Sequence, residues 1–171
     1  MKIRDVIVTP PTGSWAPLES AASPGVFDEA EIIDIDLVPR ESSVTILMTG
    51  SLWFSRFDVL LVVARQVTAC QVSMAAHTES AARIVLGSEW LWEAPGLGLL
   101  LPLAEPAGEI LVRASRFEIY AGWTPGVDPG PPEYDQTRTE IRAGLPGWES
   151  EFDLHASAII PEGAIPGRSS Q

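Results

Sequence analysis

The chain has 171 residues, 46% of them hydrophobic and 20% charged, which is enough apolar material for one core and excludes a disordered chain. Its 11 Lys and Arg face 23 Asp and Glu, and the net charge of −12 repels phosphate backbones and anionic lipid surfaces. Nucleic acid and membrane are therefore not expected partners; a basic protein partner, or solubility alone, is the use such a charge can have.

Residues 3–9, IRDVIVT, alternate well enough to predict a first strand. Residues 10–29 are rich in Pro, Ser, Ala and Gly and predict a long loop. Over 30–38 the alternation is clean: Ile33, Ile35 and Leu37 on one face, Asp34 and Asp36 on the other. Residues 43–49 predict the next strand, and 57–74 a long central one, nearly continuous in apolar side chains and interrupted near Gln66. Shorter strands follow at 82–87, 88–93 and 97–104. Residues 108–123 read as two alternating runs with a break near Ala114-Ser115. At 152–160, Phe152, Leu154, Ala156 and Ala158 share one face against Asp153, His155 and Ser157.

Between these last two, residues 132–143 predict a short helix. Tyr134, Arg138, Ile141 and Leu145 fall at helical spacing, acids lie at its start and arginines near its end, and Gly144 and Pro146 stop it. The whole reads as a single β-rich domain over 1–160, a sandwich or open barrel of about eight to ten short antiparallel strands with one short helix. Residues 161–171 read as a flexible tail.

Cys70 is the single cysteine, so no internal disulfide forms, which fits a reducing cytoplasm. Asp5 and Pro10-Pro11 interrupt the apolar run that a signal peptide needs. The apolar passage at 94–104 is about half a membrane span and contains two prolines.

One stretch carries a family likeness. Pro131-Pro132-Glu133-Tyr134, Ile141-Arg142-Ala143, Leu145-Pro146 and Trp148-Glu149-Ser150-Glu151-Phe152 together form a pattern that resembles the C-terminal signature of a small, acidic, uncharacterised bacterial family. The resemblance implies an ordered element there and no activity.

The side chains that carry chemistry are sparse. Cys70 lies among aliphatic residues and reads as a small buried hydrophobe with a raised pKa rather than a nucleophile. His77 reads as a turn residue and His155 as an exposed one; no His/Cys spacing suits zinc. Asp28, Glu29, Glu31, Asp34 and Asp36 form an acidic run without the glycine-containing calcium loop, and read as a solvated strand face. Gly96 and Gly98 read as turn residues, since no phosphate-binding motif follows them. No metal and no cofactor is implied, and no catalytic residue can be named.

Three functional classes remain, in this order. The first is a non-enzymatic acidic binding protein, immunity- or inhibitor-like, docking a basic protein with the acidic segments 28–36 and 133–151, its contact residues Tyr134, Trp148, Glu149 and Glu151. The second is a small-ligand or carbohydrate-binding sandwich with a platform of Trp90, Trp92 and Trp123. The third is an enzyme with dispersed carboxylates.

Overall fold

The computed structural model describes residues 1–9, 16–18, 20–49, 54, 56–74, 83–92, 96–104, 107–126 and 144–162. In chain order these form α1 (Ile3–Val8), β1 (Ala16–Pro17), β2 (Ile32–Val38), a 3-10 turn (Pro39–Glu41), β3 (Ser43–Thr49) and β4 (Val59–Met74). Then come β5 (Glu89–Leu91), β6 (Leu97–Leu103), β7 (Gly108–Trp123) and β8 (Asp153–Pro161). The architecture is mainly β, as the alternating patterns predict, in one open eight-stranded sheet not closed into a barrel.

Its spine is the antiparallel pair of β4 and β7, two 16-residue strands in register from Val59 opposite Gly122 to Met74 opposite Gly108. Such length outruns any single set of neighbours. Along the first half of β4, β3 lies on its free side, and β8 lies beside β7. Beyond Ala114, toward Gly108, β6 takes the place of β8. The break expected near Ala114-Ser115 is thus not a strand end but the point where β7 changes partner. Across from it, Gln66 takes a left-handed backbone conformation (φ 53°), and a bulge follows between Val67 and Ala69. The Ser115 hydroxyl, within 3.2 Å of the Arg65 carbonyl and 2.7 Å of the Gln66 side-chain oxygen, ties this bend together.

The bend brings side chains of both halves into one core. Ile46, Met48, Leu60, Val62, Phe117 and Ile119 from one half meet Leu99, Leu101, Ile110 and Val112 from the other. Residues 20–29, expected only as a loop, plug this core with the fully buried Phe27. The plug is fastened to β5: Ser88 Oγ accepts from the Phe27 N–H (2.9 Å), and the Trp90 indole donates to the Ala21 carbonyl (3.0 Å). In place of a strand at 82–87, Ile84 bridges to Glu31 and Val85 to Leu103, so this segment joins the approach of β2 to β6.

A second core lies on the opposite face, and here the expectation for 3–9 is overturned. Those residues form α1, not a strand. Ile3, Val6 and Ile7, spaced by three and one, bury against Leu47, Leu61, Tyr120, Phe152 and Leu154. The Asp5 carboxylate accepts from the Lys2 N–H at 3.0 Å and starts the helix. Six residues cannot hold a helix alone. Tertiary packing decides against the β-branched propensity of Ile and Val. With α1 on one face and the main core on the other, β3 and the first half of β4 are covered on both sides, which explains their continuous apolar runs.

Two alternations also break at bulges. In β2 the register slips between Ile32 and Asp34, so Ile33 joins the α1-side core while Ile35 packs on the main one and Leu37 is exposed. In β8 the slip opposite Ala121 and Gly122 sends Phe152 and Leu154 to the α1 side and Ala156 to the other. The strands are also not all short or all antiparallel, since β1 pairs with β8 in parallel. The helix expected at 132–143, Tyr134 and His77 lie outside the described residues, as does most of the 161–171 tail.

Candidate functional site

Glu31, which leads into β2, is held by backbone on both sides. Its N–H donates to Thr49 Oγ1 and its carbonyl accepts from the Thr49 N–H, both at 2.9 Å, while the Ile32 N–H donates to the Arg83 carbonyl. Across from it, the chain returns through Leu145, Pro146 and Gly147 before β8. Between these segments lies a cleft of about 340 Å3, lined by Glu31, Ile32, Ile33, Asp34, Arg83, Leu145, Pro146 and Gly147. Two carboxylates and one guanidinium face it, so its net charge is negative.

The carboxylates differ in environment. Asp34 is exposed, and its Oδ2 accepts the Trp148 indole N–H at 2.8 Å. Glu31 is half-buried and, among the described residues, has neither an ion pair nor a hydrogen bond to its carboxylate. Desolvation pushes its pKa above the ordinary carboxylate value. Arg83 lines the same cleft without an ion pair to either acid. An unpaired, partly desolvated carboxylate in a concave site favours the approach of a cation.

Of the residues singled out from sequence for partner contact, Tyr134 lies outside the described residues, and Trp148, Glu149 and Glu151 follow the cleft-lining Gly147 in the chain. Trp148 is half-buried, packed with Ile33 against the α1-side core, and acts as a wall of the region rather than a projecting anchor. Glu149 is occupied by the chain itself: its carboxylate pairs with Lys2 (2.9 Å) and with Arg4. The Lys2 hydrogen bond holds Glu149 below the usual carboxylate range, and Glu149 raises Lys2 in return. Glu151 is exposed and stands 3.6 Å from the N-terminal ammonium. Backbone bonds from Ile3 to Ser150 and from Arg4 to Trp148 complete this clasp between α1 and the segment before β8.

The tryptophans named for a ligand platform separate. Trp90 is buried, edge-on to Phe117 at 5.1 Å and to Phe27 at 6.0 Å, and Trp92 is half-buried against the same core. Trp123 alone of the three is substantially exposed, at 40%, with its ring edge-on to Phe57 and His155. His155 also lies 3.3 Å from Asp153.

Sequence reasoning missed one cluster. Glu118, on the α1 side of β7, is 3% exposed, accepts from Arg65 Nε and the Tyr120 hydroxyl (both 3.1 Å) and forms an ion pair with Arg116 Nη2 at 2.8 Å. Arg65 also donates to the Ile7 carbonyl at 2.9 Å, tying the end of α1 to the sheet. Burial, then the Glu118 charge and hydrogen bond, push the Tyr120 phenol well above the ordinary tyrosine range, so it stays protonated. The alternation Arg116, Glu118, Tyr120 inside an apolar strand was the available signal. The arrangement is structural: each member is committed to another. Cys70, expected to be buried, is exposed, because the second half of β4 has a strand on one side only among the described residues; its remaining partial burial raises its pKa.

Among the described residues no three His, Cys, Asp or Glu side chains gather as a metal site requires, and no helix is long and apolar enough to cross a membrane. Comparison with protein-family models, curated proteins and solved structures finds no match to this chain.

Proposed function

We propose that the protein is a non-enzymatic, acidic binding protein, immunity- or inhibitor-like, that docks a basic protein partner at the cleft beside β2. The observation that carries this is Glu31, a half-buried carboxylate with no counter-ion among the described residues, beside Asp34 in a concave site on a chain of net charge −12. A partner Lys or Arg entering the cleft supplies the missing charge, and the surrounding field accelerates its approach. Trp148 orients Asp34 for that contact. Glu149, already paired with Lys2 and Arg4, contributes to holding the clasp rather than to the partner.

The test is a tagged pull-down from native cell extract at low and high salt, followed by zero-length carbodiimide cross-linking and peptide mapping. A basic protein is expected at low salt, released at high salt, cross-linked at Glu31 or Asp34, and lost with Glu31→Gln/Asp34→Asn. Retention indifferent to salt and to that variant, or no retained protein, overturns the proposal. A second reading draws on Trp123: an exposed indole beside His155 offers a stacking surface for a sugar ring. A glycan-array signal abolished by Trp123→Ala favours it over the first.

A further inference from the structure

Beyond Arg65, β4 loses β3 as a neighbour. The Val67 N–H donates to the Ser42 carbonyl at 2.7 Å, and past that point no strand among the described residues pairs on that side of β4. On its other side β7 remains in register to the end of the strand. Among the described residues, alternate backbone N–H and C=O groups of 68–73 therefore face outward without a ladder, which is the usual requirement for an added strand.

The side chains argue the same way. Thr68, Ala69, Cys70, Gln71, Val72 and Ser73 are all exposed. Cys70 and Val72 lie opposite Val112 and Ile110, which are fully buried, so both stand on the core side of the sheet. Val72 is nonetheless 42% exposed. Sheet edges are ordinarily protected by charge, proline or a bulge that turns them away. The stretch QVTACQVSM, 66–74, contains no Asp, Glu, Lys, Arg or Pro, and its bulge lies at its start.

We infer that this edge pairs with the same edge of a second copy of the chain, antiparallel about a two-fold axis. On a molecule of net charge −12 an uncharged strand is where two copies meet with least repulsion. Antiparallel pairing of one strand with itself is also self-complementary, as a closed two-fold interface requires. An axis through Gln71 keeps both core faces on the same side and sets Cys70 of each copy opposite Val72 of the other. The dimer extends the sheet across the axis and uses none of the residues that line the cleft beside β2, so it does not rest on the proposed docking.

Sedimentation equilibrium over a dilution series tests this under reducing conditions. The expected result is a concentration-dependent dimer, retained by Cys70→Ser and reduced to monomer by Val72→Lys, with the far-ultraviolet dichroism of Val72→Lys unchanged. In the Cys70→Ser background, Gln71→Cys is expected to cross-link to its own copy on mild oxidation. Amides of 68–73 are expected to exchange more slowly in the dimer, a readout that does not depend on any variant folding. A monomer at every concentration, or a dimer without concentration-dependent protection of 68–73, overturns the inference.

Discussion

Glu118 is a buried charge whose partners all depend on it. Its carboxylate satisfies two guanidinium groups and a phenol on a buried sheet face. Glu118→Ala leaves Arg65 charged and largely buried, and is expected to destabilise the fold by about 3 kcal/mol, read as a lower urea midpoint. Glu31 and Glu149 give opposite pH signatures. Burial raises the folded pKa of Glu31, so its contribution to stability is fully present below the ordinary value of 4.5 and lost as pH rises through the raised one. Glu31→Gln is therefore expected to stabilise the protein at neutral pH, with the gain vanishing in acid. Glu149 is lowered chiefly by its hydrogen bond with Lys2, so its contribution is present above 4.5 and lost as pH falls through the lowered value. Glu149→Gln is expected to weaken the fold at neutral pH and to match the parent in strong acid. Urea midpoints measured across the carboxylate range separate the two.

At the scale of elements, β7 and β8 approach closely at Gly122. A Cβ added at Gly122 would stand 2.2 Å from the Asp153 carbonyl oxygen and 2.9 Å from the Phe152 ring. Backbone must move to admit it, at the same bulge that sends Leu154 to the α1-side core. Gly122→Ala is expected to lose about 3 kcal/mol or to fail to fold, whereas alanine at the exposed Gly126, with open space around it but a φ of +85°, is expected to lose only about 1 kcal/mol. Thermal melts of the pair distinguish crowding from backbone strain. α1 shows the complementary case. Its Ile and Val residues and its acid at position 5 were visible, yet six residues carry no stable local preference. The face of β3 and β4 that it covers made it a helix.

For the whole molecule, charge is the governing term. With 23 acids against 11 bases, self-repulsion opposes the compact state, and added salt screens it. The melting temperature is expected to rise between low and moderate sodium chloride, and a fall would mean that ion pairs such as the Glu149 clasp outweigh the repulsion. The topology has a kinetic side as well. The clasp of α1 to 148–152 and the pairing of β1 with β8 join segments far apart in sequence, so folding is expected in milliseconds to seconds rather than microseconds.

Composition and period two by themselves determined a mainly β chain and named most of its strands, because alternation reports a half-buried surface directly. The interruption at Gln66 was legible too, since a polar side chain in an apolar run marks where the ladder is disturbed. Whatever depends on a partner distant in sequence was not. The bulges at Ile33 and before Ala156 redirect side chains between two cores, and a one-residue slip leaves the composition unchanged. Glu31 and Asp34 read in sequence as members of an acidic strand face and contact segment, with nothing to set them apart from Asp28, Glu29 or Asp36. Only the return of residues 145–147 across β2 encloses Glu31 in a cleft, and only the fold leaves it there without a counter-ion among the described residues while Lys2 and Arg4 are drawn to Glu149. Desolvation and pairing are properties of what surrounds a charge, and the tertiary structure alone supplies the surroundings.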